Sequence, residues 1–184
     1  MKRTHFFVAV ALLFCTSSAF AGDFQLTGPS LQANGTLPAR HVLNGFGCTG
    51  ENLSPQLSWQ GEPAGTKSFA LTVYDPDAPT GSGWWHWLVF NIPSDIHSLA
   101  ENSGNPEKGL LPKQAIQAKT DFGTPGYGGA CPPAGNPSHR YQFTVWALDV
   151  DQLPLTVDTS GAMLGFNLRQ HMLKKADLTV TYGR

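Results

Sequence analysis

Three strongly apolar stretches, separated by segments rich in glycine and proline, constrain the fold of this 184-residue chain more than any other feature. In residues 68–75 and 140–149, apolar side chains alternate with less apolar ones, which predicts β-strands. Residues 84–92 are almost continuously apolar, as expected for a strand covered on both faces. The short connection APTGSG, residues 78–83, predicts that the first two strands are antiparallel neighbours.

The rest of the chain adds two long loops and three shorter strands. The loops are residues 101–112 and 121–138, where Gly and Pro are frequent enough to interrupt any regular element. A closing strand is predicted over residues 177–183, and residues 24–26 and 57–59 are weaker strand candidates. Together these patterns predict a mainly β fold in one compact domain, residues 22–184.

A single helix is predicted near the end of the chain. Thr159 or Ser160 can cap residues 161–176, and two lysines at the far end complement the helix dipole. Leu164, Leu168 and Met172 recur at helical spacing. They predict one helix face that packs on the sheet.

The N-terminus has the features of an export signal. Lys2 and Arg3 precede an apolar stretch, residues 6–14, and the small-residue pattern Ala-Phe-Ala ends at Ala21. This predicts a signal peptide over residues 1–21, cleaved after Ala21, and a periplasmic or secreted product. The alternative of lipid attachment at Cys15 is disfavoured, because the preceding residue is a bulky phenylalanine.

The charge balance excludes some classes of partner. Loss of Lys2 and Arg3 with the leader leaves ten basic and thirteen acidic residues, a formal net charge of −3. No basic patch remains to neutralise a run of phosphates, so a nucleic-acid partner is not expected. No later stretch is long and apolar enough to span a bilayer, so stable membrane insertion is not expected either.

The cleaved chain would retain two cysteines, Cys48 and Cys131. An even pair in an oxidising compartment predicts one disulfide bond. The alternative is two buried free thiols. A metal site is the weakest interpretation, because neither cysteine has a second ligand at a customary short spacing.

Ionisable side chains stand at the ends of all three long strands. Asp75 ends the first strand and is predicted to share the face of Val73. His86 lies near the start of the second strand, where parity places it on the face of Leu88, and His139 stands at the start of the third. Each alone is typical of a turn aspartate or a core histidine, but their conjunction predicts a site at one sheet edge.

Four segments together resemble the phosphatidylethanolamine-binding protein family, also called the Raf kinase inhibitor-like proteins. They read NLSPQLSW (52–59), DPDAP (75–79), WWHWLVFNIP (84–93) and PPAGNPSHRYQF (132–143). The exported chain with its cysteine pair is similar to a bacterial branch of that family. Cys131 is a departure, because relatives often have glycine before the two prolines.

The resemblance implies a large antiparallel sheet packed with a smaller sheet, few helices, and a small anion-binding pocket at one edge. It also implies homodimer formation, and no cofactor is expected. Carried over by motif, the ligand-binding residues are Asp75, Pro76, Trp84, His86, Pro132, His139 and Tyr141.

The chemistry of these side chains agrees with anion binding. Histidine rings and the Tyr141 hydroxyl supply donors, and Asp75 can accept a proton from a histidine and fix its tautomer. Asp77 is expected to hold the turn, and Arg140 to make a structural ion pair. The expected ligand is a small phosphate or phosphoryl group, bound weakly and with a dependence on pH.

The alternatives to anion binding are an enzyme and a regulatory protein that acts through its surface. An enzyme is not expected, because Ser138 beside His139 points the opposite way along the strand and no G-x-S-x-G motif is present. A metal-dependent hydrolase could still use Asp75, His86 and His139 as ligands. The third class is a regulatory protein that acts on an unknown protein partner through its surface, with the pocket secondary.

Overall fold

The fold is mainly β and centres on a five-stranded antiparallel sheet. The computed structural model describes residues 22–184, so the predicted signal peptide lies outside the described residues. In chain order the elements are β1 (Gln25–Thr27), β2 (Asn44–Gly45), β3 (Cys48–Thr49), β4 (Leu57–Gln60), β5 (Ser68–Asp75), β6 (Trp84–Pro93), β7 (Ser98–Leu99), β8 (Ile116–Gln117), β9 (His139–Leu148), α1 (Gly161–His171) and β10 (Met172–Tyr182).

The strands of the large sheet lie in the order β10-β9-β5-β6-β8, and β1, β4 and β7 form a separate three-stranded sheet. The central strand β5 pairs with both β6 and β9 over most of its length. Because the pairs are antiparallel, the end of β5 and the starts of β6 and β9 meet at one sheet edge. The large and small sheets that the family resemblance implies are confirmed.

The core occupies both faces of the large sheet. On one face, Phe69 and Leu71 of β5 pack with Leu57 and Trp59 of the small sheet, all of them buried. On the other face, apolar side chains of β5 and β6 pack under the helix α1. This second layer explains why residues 84–92 are apolar on both sides.

The helix is shorter than the sequence predicts. Ser160 caps it, since its Oγ accepts a hydrogen bond from the backbone N–H of Met163 at 3.2 Å. Leu164 and Leu168 are fully buried, as the spacing predicts. The extension to residue 176 is wrong: Met172 begins β10, which pairs with β9, and its side chain is 39% exposed. Pairing along β9 satisfies the backbone of this segment and replaces the helical hydrogen bonds that its spacing suggested.

The Cys48–Cys131 disulfide is confirmed, with the two Cα atoms 6.0 Å apart. It joins the β2–β3 hairpin to the long irregular loop that precedes β9. In residues 22–184 no helix has the length and hydropathy needed to cross a bilayer.

Candidate functional site

A cavity of about 200 Å³ opens at the sheet edge where β5 ends and where β6 and β9 begin. Six of the seven predicted ligand-binding residues line it, namely Asp75, Trp84, His86, Pro132, His139 and Tyr141. Pro76 is the exception, since it does not contribute to the lining. The remaining wall is formed by Phe46, Ala78, Pro79, Thr80, Phe122, Cys131 and Pro133.

Asp75 and His139 form a buried pair in this cavity. Nδ1 of His139 lies 2.8 Å from Oδ2 of Asp75, and each side chain is only 4% exposed. The other carboxylate oxygen of Asp75 accepts the backbone N–H of Asp77 at 2.8 Å. Because an ionised carboxylate only accepts hydrogen bonds, Nδ1 of His139 carries a hydrogen. In the neutral ring, Nε2 of His139 is therefore an acceptor.

Asp77 lies outside the cavity lining and holds the turn, as the sequence predicts. Both of its carboxylate oxygens accept hydrogen bonds from the Arg140 side chain, at 2.9 and 2.7 Å. The Arg140 backbone N–H donates to the same carboxylate at 2.8 Å. These hydrogen bonds, the side-chain one foremost, lower the pKa of Asp77 to about 2. The ion pair fastens the turn after β5 to the start of β9.

His86 reaches the cavity through a β-bulge that strand parity does not reveal. Val73 pairs with Trp87 and Tyr74 pairs with Trp85, so His86 has no residue opposite it on β5. The predicted shared face with Leu88 is therefore wrong. Leu88 packs under α1, whereas the His86 ring packs edge-on against Tyr141, with centroids 5.1 Å apart. An extra residue in one strand shifts the side-chain alternation, and here it turns the imidazole toward Asp75.

The protonation state of His86 is set by its surroundings. Its Nδ1 lies 2.7 Å from the carbonyl oxygen of Gly128, and a carbonyl can only accept, so Nδ1 is the donor. Burial lowers the pKa of His86, with smaller opposing effects from the Gly128 hydrogen bond and the Asp75 charge. The ring is therefore neutral at pH 7, and its Nε2 is a hydrogen-bond acceptor.

Two residues that line the cavity each carry a buried donor that meets no acceptor at hydrogen-bonding distance and angle within residues 22–184. The two donors are the indole Nε1 of Trp84 and the hydroxyl of Tyr141. Burial raises the pKa of the Tyr141 hydroxyl, the Asp75 charge adds to that shift, and a weak contact with the Asp75 carboxylate adds the least, so the hydroxyl keeps its proton. A buried donor without an acceptor costs about 1–3 kcal/mol, which an incoming acceptor group would recover.

Two aromatic residues of the wall, Phe46 and Phe122, were not predicted from the sequence. Phe46 lies in the turn between β2 and β3, and Phe122 lies in the loop before β9. Their rings stack with centroids 6.0 Å apart. The cysteine pair carried the only usable signal, because a Cys48–Cys131 bond brings this hairpin to the pocket loop. No group of three or more His, Cys, Asp and Glu side chains in residues 22–184 is arranged to hold a metal ion.

Residues 27–183 match the sequence profile of the phosphatidylethanolamine-binding protein family. The chain belongs to this family. Family membership thus extends over the small sheet as well as the four motifs, which begin only at residue 52. Asp75, His86 and His139 all lie inside the matched region.

Two bacterial members of the family are similar to this chain over most of its length. The chain is 49% identical to the UPF0098 protein YbcL of Escherichia coli K12 over 95% of its own length and 96% of that protein. It is also 49% identical to YbhB of the same organism, over 86% and 99% of the two chains.

Solved structures of family members share the fold. The crystal structure of E. coli YbcL superposes with a TM-score of 0.86 at 48% identity and covers 89% of this chain and 99% of its own. A homologue from Chlamydia trachomatis gives a TM-score of 0.72 at 30% identity and covers 88% and 97%. The resemblance to a bacterial branch is thereby confirmed at the level of sequence and fold.

Proposed function

We propose that this protein is an exported ligand-binding protein whose pocket holds a small anion, phosphate or a phosphoryl headgroup. One observation carries the proposal: the Trp84 indole and the Tyr141 hydroxyl are buried donors of two residues that line the cavity, and within residues 22–184 neither meets an acceptor at hydrogen-bonding distance and angle. Phosphoryl oxygens are strong acceptors. The family name, phosphatidylethanolamine-binding protein, supports the same class of ligand.

The two histidines make anion binding depend on protons. In their neutral forms, His86 and His139 both present Nε2 as an acceptor, because Nδ1 donates to Gly128 and to Asp75 respectively. A phosphate dianion would face two lone pairs and the charge of Asp75. Either the ligand or a histidine must therefore carry a proton, which favours a singly charged ligand and tighter binding below pH 7.

Export is supported by the disulfide and by the predicted signal peptide. A disulfide between Cys48 and Cys131 is stable in an oxidising compartment such as the periplasm. The basic and apolar pattern of residues 1–21 would direct the chain there. We place the ligand-binding site in that compartment, facing small solutes.

A binding role fits this pocket better than catalysis of acyl transfer. Such an enzyme needs a nucleophile beside a base. The hydroxyl of Thr80 on the cavity wall donates to the Gly83 carbonyl at 2.5 Å, and Cys131 is committed to the disulfide. His139 bonds to a carboxylate, and His86 bonds to a carbonyl. Nε2 of each histidine is left free, but within the described cavity lining no uncommitted serine, threonine or cysteine stands beside it to act as the nucleophile.

A protein-interaction role, including homodimer formation, is the second candidate. It is favoured by two large apolar side chains that lie one turn apart on α1, Met163 and Phe166, which are 53% and 60% exposed. A regulatory activity carried by this surface would survive substitutions in the pocket. Loss of that activity in Phe166→Ser with retention of phosphate binding would identify the surface as the functional site.

The anion proposal is tested by calorimetric titration with phosphate and phosphoethanolamine between pH 5 and pH 7. Tyr141→Phe removes one cavity donor that has no protein partner, so we expect five- to tenfold weaker binding with no loss of stability. Tyr127→Phe is the matched control. Its buried hydroxyl donates to the His41 carbonyl at 2.8 Å, outside the cavity lining.

The control should therefore lose about 1 kcal/mol of stability and keep its affinity. Absence of binding of both ligands to the unsubstituted protein across this pH range would refute the anion site. If Tyr141→Phe and the unsubstituted protein bind phosphate with equal affinity, the Tyr141 hydroxyl does not donate to the anion.

A further inference from the structure

The anion site continues outward into an aromatic wall. Phe122 packs edge-on against His86 and Trp84, with ring centroids 5.4 Å away in each case. Phe46 stacks on the outer side of Phe122 at 6.0 Å, with an interplanar angle of 22°. The rings thus form a continuous apolar path from the imidazole inside the cavity to its rim.

Phe46 is an unusual residue for a protein surface. Its side chain is 72% exposed, the largest exposure among the large apolar side chains identified in residues 22–184. Its backbone has a φ of 52°, a left-handed conformation that non-glycine residues adopt at a cost. A strained backbone that exposes a phenyl ring gives no benefit to the core.

Several contacts hold this strained turn in place. The disulfide at Cys48 fastens the hairpin to the pocket loop. The guanidinium of Arg184 donates to the carbonyl oxygens of Phe46 and Gly47 at 3.2 and 3.0 Å. The same guanidinium donates to the carbonyl oxygen of Pro132, another residue of the cavity lining, at 2.8 Å. The hairpin is therefore fixed over the cavity mouth, and the Phe46 ring is preorganised there.

We propose that Phe46 and Phe122 form a second subsite, which binds an apolar, ring-sized group attached to the anion. This inference rests on the proposed anion site and narrows its ligand to phosphate monoesters with an apolar substituent. The cavity volume permits such a ligand, since a cavity of about 150 Å³ accommodates benzene and this one has about 200 Å³ and an open mouth. Pro79, Pro132 and Pro133 complete the apolar lining.

The charged groups at this rim favour an apolar group over an ammonium group. Among the described residues, Asp75 supplies the only carboxylate of the cavity lining, and it already accepts hydrogen bonds from His139 and from the Asp77 backbone N–H. A substituent beyond the anion therefore meets the aromatic and proline walls, with no free carboxylate to pair with. The ligand class expected is an aryl or alkyl phosphate, and phosphoethanolamine is expected to gain little over inorganic phosphate.

The test is calorimetric titration with inorganic phosphate, phosphoethanolamine and phenyl phosphate. The unsubstituted protein should bind phenyl phosphate about tenfold more tightly than phosphate, the gain expected when one face of a phenyl ring leaves water. Phe46→Ala should reduce that advantage to less than about threefold, because phenyl phosphate loses more affinity than inorganic phosphate does. Phe166→Ala is the matched control, since this ring is 60% exposed on α1 and lies outside the cavity lining.

The outcomes separate this inference from the anion proposal. Phosphate binding without any gain for phenyl phosphate, or equal weakening of both ligands in Phe46→Ala, would overturn the aromatic subsite and leave the anion site standing. Failure of all three ligands to bind would overturn the anion site itself. Restoration of part of the gain in Phe46→Leu would support the apolar contact, because that variant replaces the ring by another apolar side chain.

Discussion

Removal of the Cys48–Cys131 disulfide tests how the chain secures the mouth of its pocket. The double variant Cys48→Ala/Cys131→Ala opens a loop whose ends are 83 residues apart in sequence. In the chain-entropy treatment, a crosslink over about 83 residues restricts the unfolded chain by about 4.5 kcal/mol at 25 °C. In the folded state Arg184 still clamps the hairpin through hydrogen bonds to Phe46 and Gly47. Removal of the disulfide should therefore lower the free energy of unfolding, and the fold should be retained.

The assay is urea unfolding followed by tryptophan fluorescence, which five tryptophans make sensitive. With a denaturant dependence of about 2 kcal/mol per molar urea, a loss of about 4 kcal/mol lowers the midpoint by about 2 M. Reductant should shift the unsubstituted protein by a similar amount and leave the double variant unchanged. A midpoint shift below about 0.5 M would refute the argument, because the crosslink would then contribute less than about 1 kcal/mol.

Two further predictions concern protons. Burial lowers the pKa of His86 and of His41 below the usual 6.5, so the unfolded chain binds more protons than the folded one below that pH. The free energy of unfolding should be highest above pH 6.5 and should fall on acidification, by at most about 1.4 kcal/mol per pH unit for each histidine. Urea midpoints that stay constant from pH 7.5 to 5.5 would contradict this. Asp75→Asn keeps an acceptor for the Asp77 N–H but presents an amide donor to His139 Nδ1, which moves the ring hydrogen to Nε2. Calorimetry at pH 7 should then show phosphate binding several-fold more tightly and with less dependence on pH, whereas weaker binding at that pH would oppose the assigned tautomer.

The main strands could be predicted from the sequence because their patterns are long and their ends are marked. The predicted strand 68–75 has the same bounds as β5, because the alternation of apolar and less apolar side chains runs along its whole length and Pro76 follows it directly. The predicted strand 177–183 is the counterexample, because the structure places its start at Met172. Met172 continues the spacing of Leu164 and Leu168, and only the available edge of β9 decides that this segment is a strand.

The chemical groups of the site could also be predicted, but not how they are oriented or enclosed. Asp75 and His139 meet because each stands at the end of an apolar strand, and strand order brings those ends together. His86 arrives through a bulge between β5 and β6, which leaves no mark in the pattern of a strand apolar on both sides. Phe46 and Phe122 come from turns distant in sequence, so their stacking depends on the whole fold and on the disulfide.

The most direct test of the anion site is a crystal structure of the protein grown with phosphate at pH 5.5. We expect phosphate in the cavity, with oxygens within 2.7–3.2 Å of the Tyr141 hydroxyl and of Nε2 of His139. The Trp84 indole should also gain an acceptor. A cavity filled only by water at saturating phosphate, or phosphate bound solely at another surface, would contradict the central claim.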